Sequence, residues 1–175
     1  VNHVRIAQDE AERALLWKGR KSAFGAIANI QPDYYLHDTV VPRSRLPEVL
    51  AQIYEIAARH DVQVLNVFHA GDGNLHPLLV YDARVPGTVD RVHAAGKEIV
   101  EASVAAGGAL SGEHGIGLEK RDYMGLMFSD VDLAAQNALR CAFDPDMRAN
   151  PGKVLPSPAT CADINQVGLP DGAWV

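Results

Sequence analysis

Two short stretches hold residue types that do chemistry. The first is "HAGDGNLH", residues 69 to 76, in which His69 and His76 bracket Gly71, Asp72, Gly73 and Asn74. A helix would be broken by such a spacer, so the histidines are expected at the two feet of a β-turn rather than along one helix face. Residues opposite each other in a hairpin come within about 5 Å at their Cβ atoms. A turn over 70 to 75 would set His69 directly across from His76, close enough for two imidazoles to share one divalent cation. The second stretch is "SGEHGIG", residues 111 to 117, where Glu113 and His114 stand between glycines.

Two histidines and one carboxylate make a three-ligand set that leaves positions open to substrate, as in catalytic rather than structural metal sites. Zn²⁺, Mn²⁺ and Fe²⁺ all suit these ligands. His114, next to the ligand Glu113, is expected to point elsewhere and stay free as a base, work for which imidazole is suited near neutral pH. Two other readings of the same residues stay open. One is a hydrolase that uses metal-bound water, and the other is a metal-free ligand-binding domain. Turn chemistry alone would account for the glycines. His3, His37, His60 and His93 read as surface or satisfied core histidines.

The elements that must carry these stretches follow from periodicity and punctuation. Residues 5 to 27 are rich in helix formers. Tyr34 to Val41 are aromatic and β-branched, which predicts a strand ended by Pro42. Leu46, Val49, Leu50, Ile53, Ile56 and Ala57 recur at helical spacing, with Pro47 tolerated in the first turn. Residues 62 to 69 and 76 to 82 form the hairpin, and Pro77 predicts an edge position, or a strand start, for the second strand. A helix opened by Pro86 carries Val89, Val92, Ile99, Val100 and Val104 and ends at Gly107-Gly108. Ala109 to Ser111 form a short extended piece. A last helix starts at Ser129, with Asp132 three residues on.

From residue 34 to 111 the order is strand, helix, strand, strand, helix, strand. That predicts an α+β, ferredoxin-like antiparallel sheet with helices on one face. Residues 1 to 156 read as this domain and 157 to 175 as an irregular tail. The chain enters an amphipathic pattern almost at Val1, so an internal start within a longer protein is expected, the first helix belonging with elements upstream.

Composition narrows the function classes. The 175 residues are 47% hydrophobic and 22% charged, with a formal net charge of -6. This acidic balance, without a Lys/Arg cluster, argues against nucleic-acid and anionic-membrane partners. No apolar run reaches bilayer length and no signal-peptide pattern is present, so a cytoplasmic location is expected. Cys141 and Cys161, the only two cysteines, suggest neither a disulfide framework nor a thiolate metal site.

"FHAGDGNLHP", followed about forty residues later by "SGEHGIGLEK", resembles the C-terminal domain of FAD-linked 2-hydroxyacid oxidoreductases. "LLWKGRKSAFGAIANIQPDYYLHDTVVPRSRLPEV" and "NPGKVLP" extend the resemblance over roughly residues 12 to 156. The group includes the flavin subunit of bacterial glycolate oxidase, D-lactate dehydrogenases and D-2-hydroxyglutarate dehydrogenases. The resemblance implies a cap domain over an FAD that is bound mainly by a separate N-terminal domain, so this chain alone is expected to be inactive. It implies metal ligands His69, His76 and Glu113, a base His114, an Arg20 that holds the substrate carboxylate, and an Asn150 near the flavin. Unaided, Arg20 reads as a solvated helix charge and Asn150 as a turn residue before Pro151. Lys120 and Lys153 read as surface charges, or as neighbours of the flavin.

The implied reaction turns a small 2-hydroxy acid into the 2-oxo acid by hydride transfer to flavin. Apolar Leu36, Leu78 and, less directly, Leu79 near the site lean toward glycolate or D-lactate over a dicarboxylate. Reduced flavin needs an outlet, which implies electron-transfer subunits and, through them, peripheral membrane contact. The face that meets the flavin domain is also expected to favour a homo-oligomer of the isolated chain.

Overall fold

A computed structural model describes residues 5–156 of the chain. His3, Cys161 and the tail expected over 157 to 175 lie outside the described residues. The elements are α1 (Glu10–Ala26), β1 (Asp33–Leu36), β2 (Thr39–Val40), α2 (Leu46–Arg59), β3 (Gln63–His69), β4 (Asn74–Tyr81), α3 (Thr88–Ala105) and α4 (Asp130–Phe143).

The sheet is antiparallel, with β4 between β3 on one side and β1 and β2 end to end on the other. Leu36 pairs with Leu78 and Val40 with Asn74, so β1 and β2 keep one register across a break at His37 and Asp38. Val40 also bridges Ala109 through Val40 N–H to Ala109 and Ala109 N–H to Val40. The expected ferredoxin-like order is thus present, its last strand reduced to a single bridge. The predicted strand over 34 to 41 is two strands instead of one.

The break has a cause in Pro77. Its carbonyl accepts from the His37 N–H at 2.9 Å, so its ring nitrogen faces the same flank. The His37 carbonyl thus meets no donor there and only one bond of that pair is made, while the pairing with β3 is kept. Pro77 therefore sits inside the central strand, correcting the expectation that it marks an edge or a start.

One face of the sheet is closed by α2 and α3. Val49, Ile53, Leu75, Leu79, Val92 and Ile99 pack into a core with no solvent exposure. Gly107 takes the left-handed conformation just past α3 (φ 83°), as the Gly-Gly pair predicts. On the other face Ile27, Leu78 and Val80 form a smaller cluster with Leu36 and Leu65. A third cluster of Val100, Leu110 and Met124 takes Leu133 of α4. α4 begins with the capping box expected at Ser129: its hydroxyl accepts from the Asp132 N–H and the Asp132 carboxylate accepts from the Ser129 N–H.

α1 buries none of its side chains; Leu15, Trp17 and Phe24 are exposed on it. Cys141 on α4 is disulfide-bonded, which corrects the expectation drawn from the cysteine count. No described helix is long and apolar enough to cross a membrane.

Candidate metal centre

The hairpin carries its histidines two residues away from the expected register. His69 pairs with Asn74, and His76 pairs with Val67. The loop is therefore 70 to 73, and the two histidines are diagonal neighbours on one face rather than directly opposite. Long side chains still meet across a diagonal, and the rings stand edge to face with centroids 5.4 Å apart. Gly73 is required here. It has φ 73°, and a Cβ on it would collide with the Val41 carbonyl oxygen.

The second half of the site comes from the turn after the Ala109 bridge. His69, His76 and Glu113 each offer one ligand atom, and these atoms lie within 4.8 Å of one another. Glu113 Oε1 is 3.1 Å from His76 Nε2 and 3.8 Å from His69 Nε2. His76 is buried, whereas His69 and Glu113 are open to solvent. His114 does not point elsewhere as expected: its ring stacks on His76 at 5.0 Å and 20°, with Nε2 3.7 Å from the Glu113 carboxylate. The ring is 45% exposed and lies beside the three-ligand cluster, reachable from outside.

What brings the two halves together is Asp38, which sequence reasoning passed over. At the break between β1 and β2 it continues the register and falls opposite His76. Its Oδ2 accepts from the Ser111 hydroxyl at 2.6 Å and from the N–H groups of Gly112, Glu113 and His114 at 2.9, 3.0 and 2.9 Å. The Ser111 hydroxyl oxygen in turn accepts from the Gly115 N–H at 2.7 Å. Successive N–H groups converging on one anion form a nest. Burial pushes the Asp38 carboxyl up, but the Ser111 hydroxyl, the His114 and Glu113 N–H groups and the Lys120 charge outweigh it and hold it at about 2. Gly112 permits this closure, since a Cβ there would stand 2.6 Å from Val40 Cγ2 and 2.7 Å from the Asn74 amide.

Lys120 corrects a further expectation. It is buried rather than on the surface, with its ammonium donating to the Asp38 carbonyl and 3.9 Å from Oδ2. Burial lowers its pKa, opposed by the charges of Asp38 and Glu119. The Asp38 carbonyl, like that of Val40, faces the outer flank, where the neighbouring strand is reduced to the Ala109 bridge, and the lysine supplies its donor.

The donor set suits a divalent cation: two imidazole nitrogens and one carboxylate oxygen, facing one another from a buried and an open side. The buried Oδ1 of Asn74, Oδ1 of Asp38 and Nδ1 of His76 have no hydrogen-bond partner among the described residues, so the polar end of this face is left with unused donors and acceptors.

The model for FAD linked oxidases, C-terminal domain, matches residues 1–154. The chain belongs to this family. It is 47% identical over 169 residues to glycolate oxidase subunit GlcD of Escherichia coli strain K12, a match covering 97% of this chain and 34% of that protein. It is 40% identical over 152 residues to glycolate oxidase subunit GlcD of Bacillus subtilis strain 168, covering 87% and 32%. A probable mitochondrial D-lactate dehydrogenase of Danio rerio is 34% identical over 151 residues, covering 85% and 30%. The chain spans about a third of the length of these relatives.

The remaining candidates of this FAD linked oxidase C-terminal domain lie apart from the cluster in their contacts. Arg20 sits on α1 with its guanidinium 5.5 Å from the centroid of Trp17. Asn150 adopts φ 47° in the turn before Pro151 and accepts from Lys153 Nζ at 3.2 Å. Leu78 shares the face of His76 as its parity predicts, but it is fully buried under Ile27, and Leu79 belongs to the helix-side core. Leu78 forms the floor beside His76, Leu79 faces away from it, and neither lines an open pocket. Two surface cavities, of about 300 and 600 Å³, lie elsewhere: one between α2 and α3 at Arg59 and Glu98, one at Tyr81 and Arg91.

Proposed function

We propose that this domain is the metal- and substrate-binding part of an FAD-dependent dehydrogenase that oxidises a small 2-hydroxy acid, glycolate or D-lactate, to the 2-oxo acid. The observation that carries the reading is the convergence of His69, His76 and Glu113 within 4.8 Å with His114 stacked beside them. The substrate class is supported by the names of the relatives, glycolate oxidase subunits and a probable D-lactate dehydrogenase.

His69, His76 and Glu113 would hold a divalent cation (Zn²⁺, Mn²⁺ or Fe²⁺), which would supply Lewis-acid chemistry to the substrate. FAD, bound mainly by residues outside this chain, would supply the hydride acceptor. The chain's own work is to bind and to move a proton. His114 takes the substrate hydroxyl proton on a ring nitrogen. Its stacking on His76 limits ring rotation, and its partial exposure lets the proton leave to water. Arg20 is assigned to the substrate carboxylate, which a guanidinium can hold with two parallel charge-assisted bonds. Asn150 is assigned to the flavin side. Electrons pass onward to other subunits, through which the enzyme contacts the membrane from the cytoplasm.

Elemental analysis of the full-length protein and its His69→Ala variant tests the metal assignment. The wild type is expected to carry a divalent metal and the variant to lose it; equal metal content and rate in both would end the reading. His114→Ala is expected to lower turnover by roughly two to four orders of magnitude with metal content unchanged. An unaltered pH–rate profile would take the proton-transfer role away from His114.

A further inference from the structure

We propose that Asp38 is the positioning residue of the metal centre: one oxygen of its carboxylate clamps the turn that carries Glu113 and His114, and the other orients the His76 imidazole. The inference rests on the metal reading above and adds a residue to it.

The two oxygens of Asp38 are used unequally. Oδ2 collects four donors from Ser111, Gly112, Glu113 and His114. Oδ1 is buried without a hydrogen-bond partner among the described residues, and so is Nδ1 of His76. These two atoms face each other at 3.9 Å. A buried carboxylate oxygen and a buried ring nitrogen are each costly to leave unsatisfied. Here each is the nearest remedy for the other, and a small ring rotation brings them into a hydrogen bond.

That bond would place the His76 proton on Nδ1 and turn the lone pair of Nε2 toward Glu113, whose Oε1 is 3.1 Å from it. A histidine that ligates metal gains basicity and a fixed orientation when its other nitrogen donates to a carboxylate. A carboxylate serving only to fold the 111–115 turn would need no second oxygen aimed at His76. Lys120, buried against the Asp38 carbonyl and 3.9 Å from Oδ2, offsets the charge this arrangement buries. Asp38 thus joins a hairpin ligand to a loop ligand that are 37 positions apart in the chain, residue 76 against residue 113.

The test is Zn²⁺ titration calorimetry on the metal-stripped full-length protein, with Asp38→Asn, His76→Ala and Ser111→Ala. His76→Ala is expected to abolish binding at this site. Asp38→Asn, which keeps the size and removes the charge, is expected to weaken it by roughly 10- to 100-fold. Ser111→Ala removes one donor of the clamp and leaves Oδ1 facing His76, so a smaller loss of roughly fivefold is expected. ¹⁵N spectra of the Zn²⁺-loaded wild type should show His76 ligated through Nε2 with its proton on Nδ1, which a purely structural Asp38 would not require. Wild-type affinity in Asp38→Asn beside a loss in His76→Ala overturns the Asp38 assignment alone. Unchanged binding in His76→Ala overturns the metal reading and this inference with it. Should Asp38→Asn fail to fold, wild-type affinity in Ser111→Ala, or ligation of His76 through Nδ1, overturns the proposal.

Discussion

His37 and Asp38 are consecutive residues at one break in one strand, yet they belong to different worlds. His37 faces the helices: its ring is buried edge-on to Tyr35 at 4.4 Å, and a Cβ on Gly96 of α3 would collide with it. Neither ring nitrogen has a hydrogen-bond partner among the described residues. Asp38 faces the opposite side and is saturated on one oxygen. The helix side is built to exclude water and tolerates only neutral groups; the other side, past Leu78, is built to gather charge. Alternation along β4 divides the two, with Leu75 and Leu79 on one face and Asn74, His76 and Leu78 on the other.

The largest expected consequence of this division is acid instability centred on His37. Burial pushes its pKa down to about 3 from the ordinary 6.5, with the Lys120 charge and His93 acting in the same direction. The folded ring thus refuses a proton that the unfolded chain accepts. The associated stability is complete above pH 6.5, declines as pH falls, and is gone near pH 3. At about 1.4 kcal/mol per unit this approaches about 5 kcal/mol. Denaturant midpoints measured from pH 7 to 4 should fall steeply in the wild type and more gently in His37→Asn. Parallel curves would mean that the helix side admits water.

Next in size is a pair of substitutions that pits one face against the other. Ile99 is fully buried in the helix-side core, and Ile99→Ala is expected to cost about 2–5 kcal/mol. It should leave Zn²⁺ affinity unchanged wherever the protein is folded. His69→Ala, at an exposed ring, is expected to move stability by no more than about 0.5 kcal/mol and to remove metal. Thermal melts and calorimetry on both variants check the crossing pattern. A large stability loss in His69→Ala would show the site to be part of the core.

The helix side was also the part legible from sequence. Leu46 to Ala57 repeat at helical spacing, Gly107-Gly108 stop α3, and Ser129 with Asp132 start α4, because these are local signals with local causes. The convergence of His69, His76 and Glu113, the candidate ligands, follows from two glycine-bracketed stretches that were legible too. What escaped depends on long-range pairing. The role of Asp38 requires knowing that residue 38 lies opposite residue 76, and nothing near Asp38 in the chain carries that register. Lys120 was read as a surface charge because the carbonyl it caps lies 82 positions away and is left open by a neighbouring strand reduced to one bridge. Pro77 misled for a related reason. Its missing N–H looked like an edge signal, whereas the neighbouring strand had already opened to receive it.

A third expected effect sharpens the comparison at the place where the charged side is packed as tightly as the core. Gly112 lies against Val40 and Asn74, and Gly112→Ala would put a methyl group 2.6 Å and 2.7 Å from them. The cost is expected to be about 1–3 kcal/mol, typical of overpacking. Unlike Ile99→Ala, it should also weaken Zn²⁺ binding, because the turn that moves carries Glu113. Loss of stability with intact affinity would mean that the turn yields elsewhere.

The smallest expected effect belongs to α4, which lies on neither face of the sheet. Leu133 alone among its residues joins the Val100–Leu110–Met124 cluster, while Val131, Leu139 and Phe143 stay exposed. A helix with so little buried surface leans on its own ends, because tertiary packing cannot repay the ordering of its first turn. The Ser129 hydroxyl supplies that end: it accepts from the Asp132 N–H, and the Asp132 carboxylate accepts from both the Ser129 N–H and hydroxyl. Ser129→Ala is therefore expected to cost about 1 kcal/mol, read as faster amide exchange confined to the first turn of α4. Exchange in α3 and Zn²⁺ affinity should not change, since neither depends on that turn. If α3 loosens as well, the contact through the half-buried Leu133 is stronger than one apolar side chain implies, and α4 belongs to the core after all.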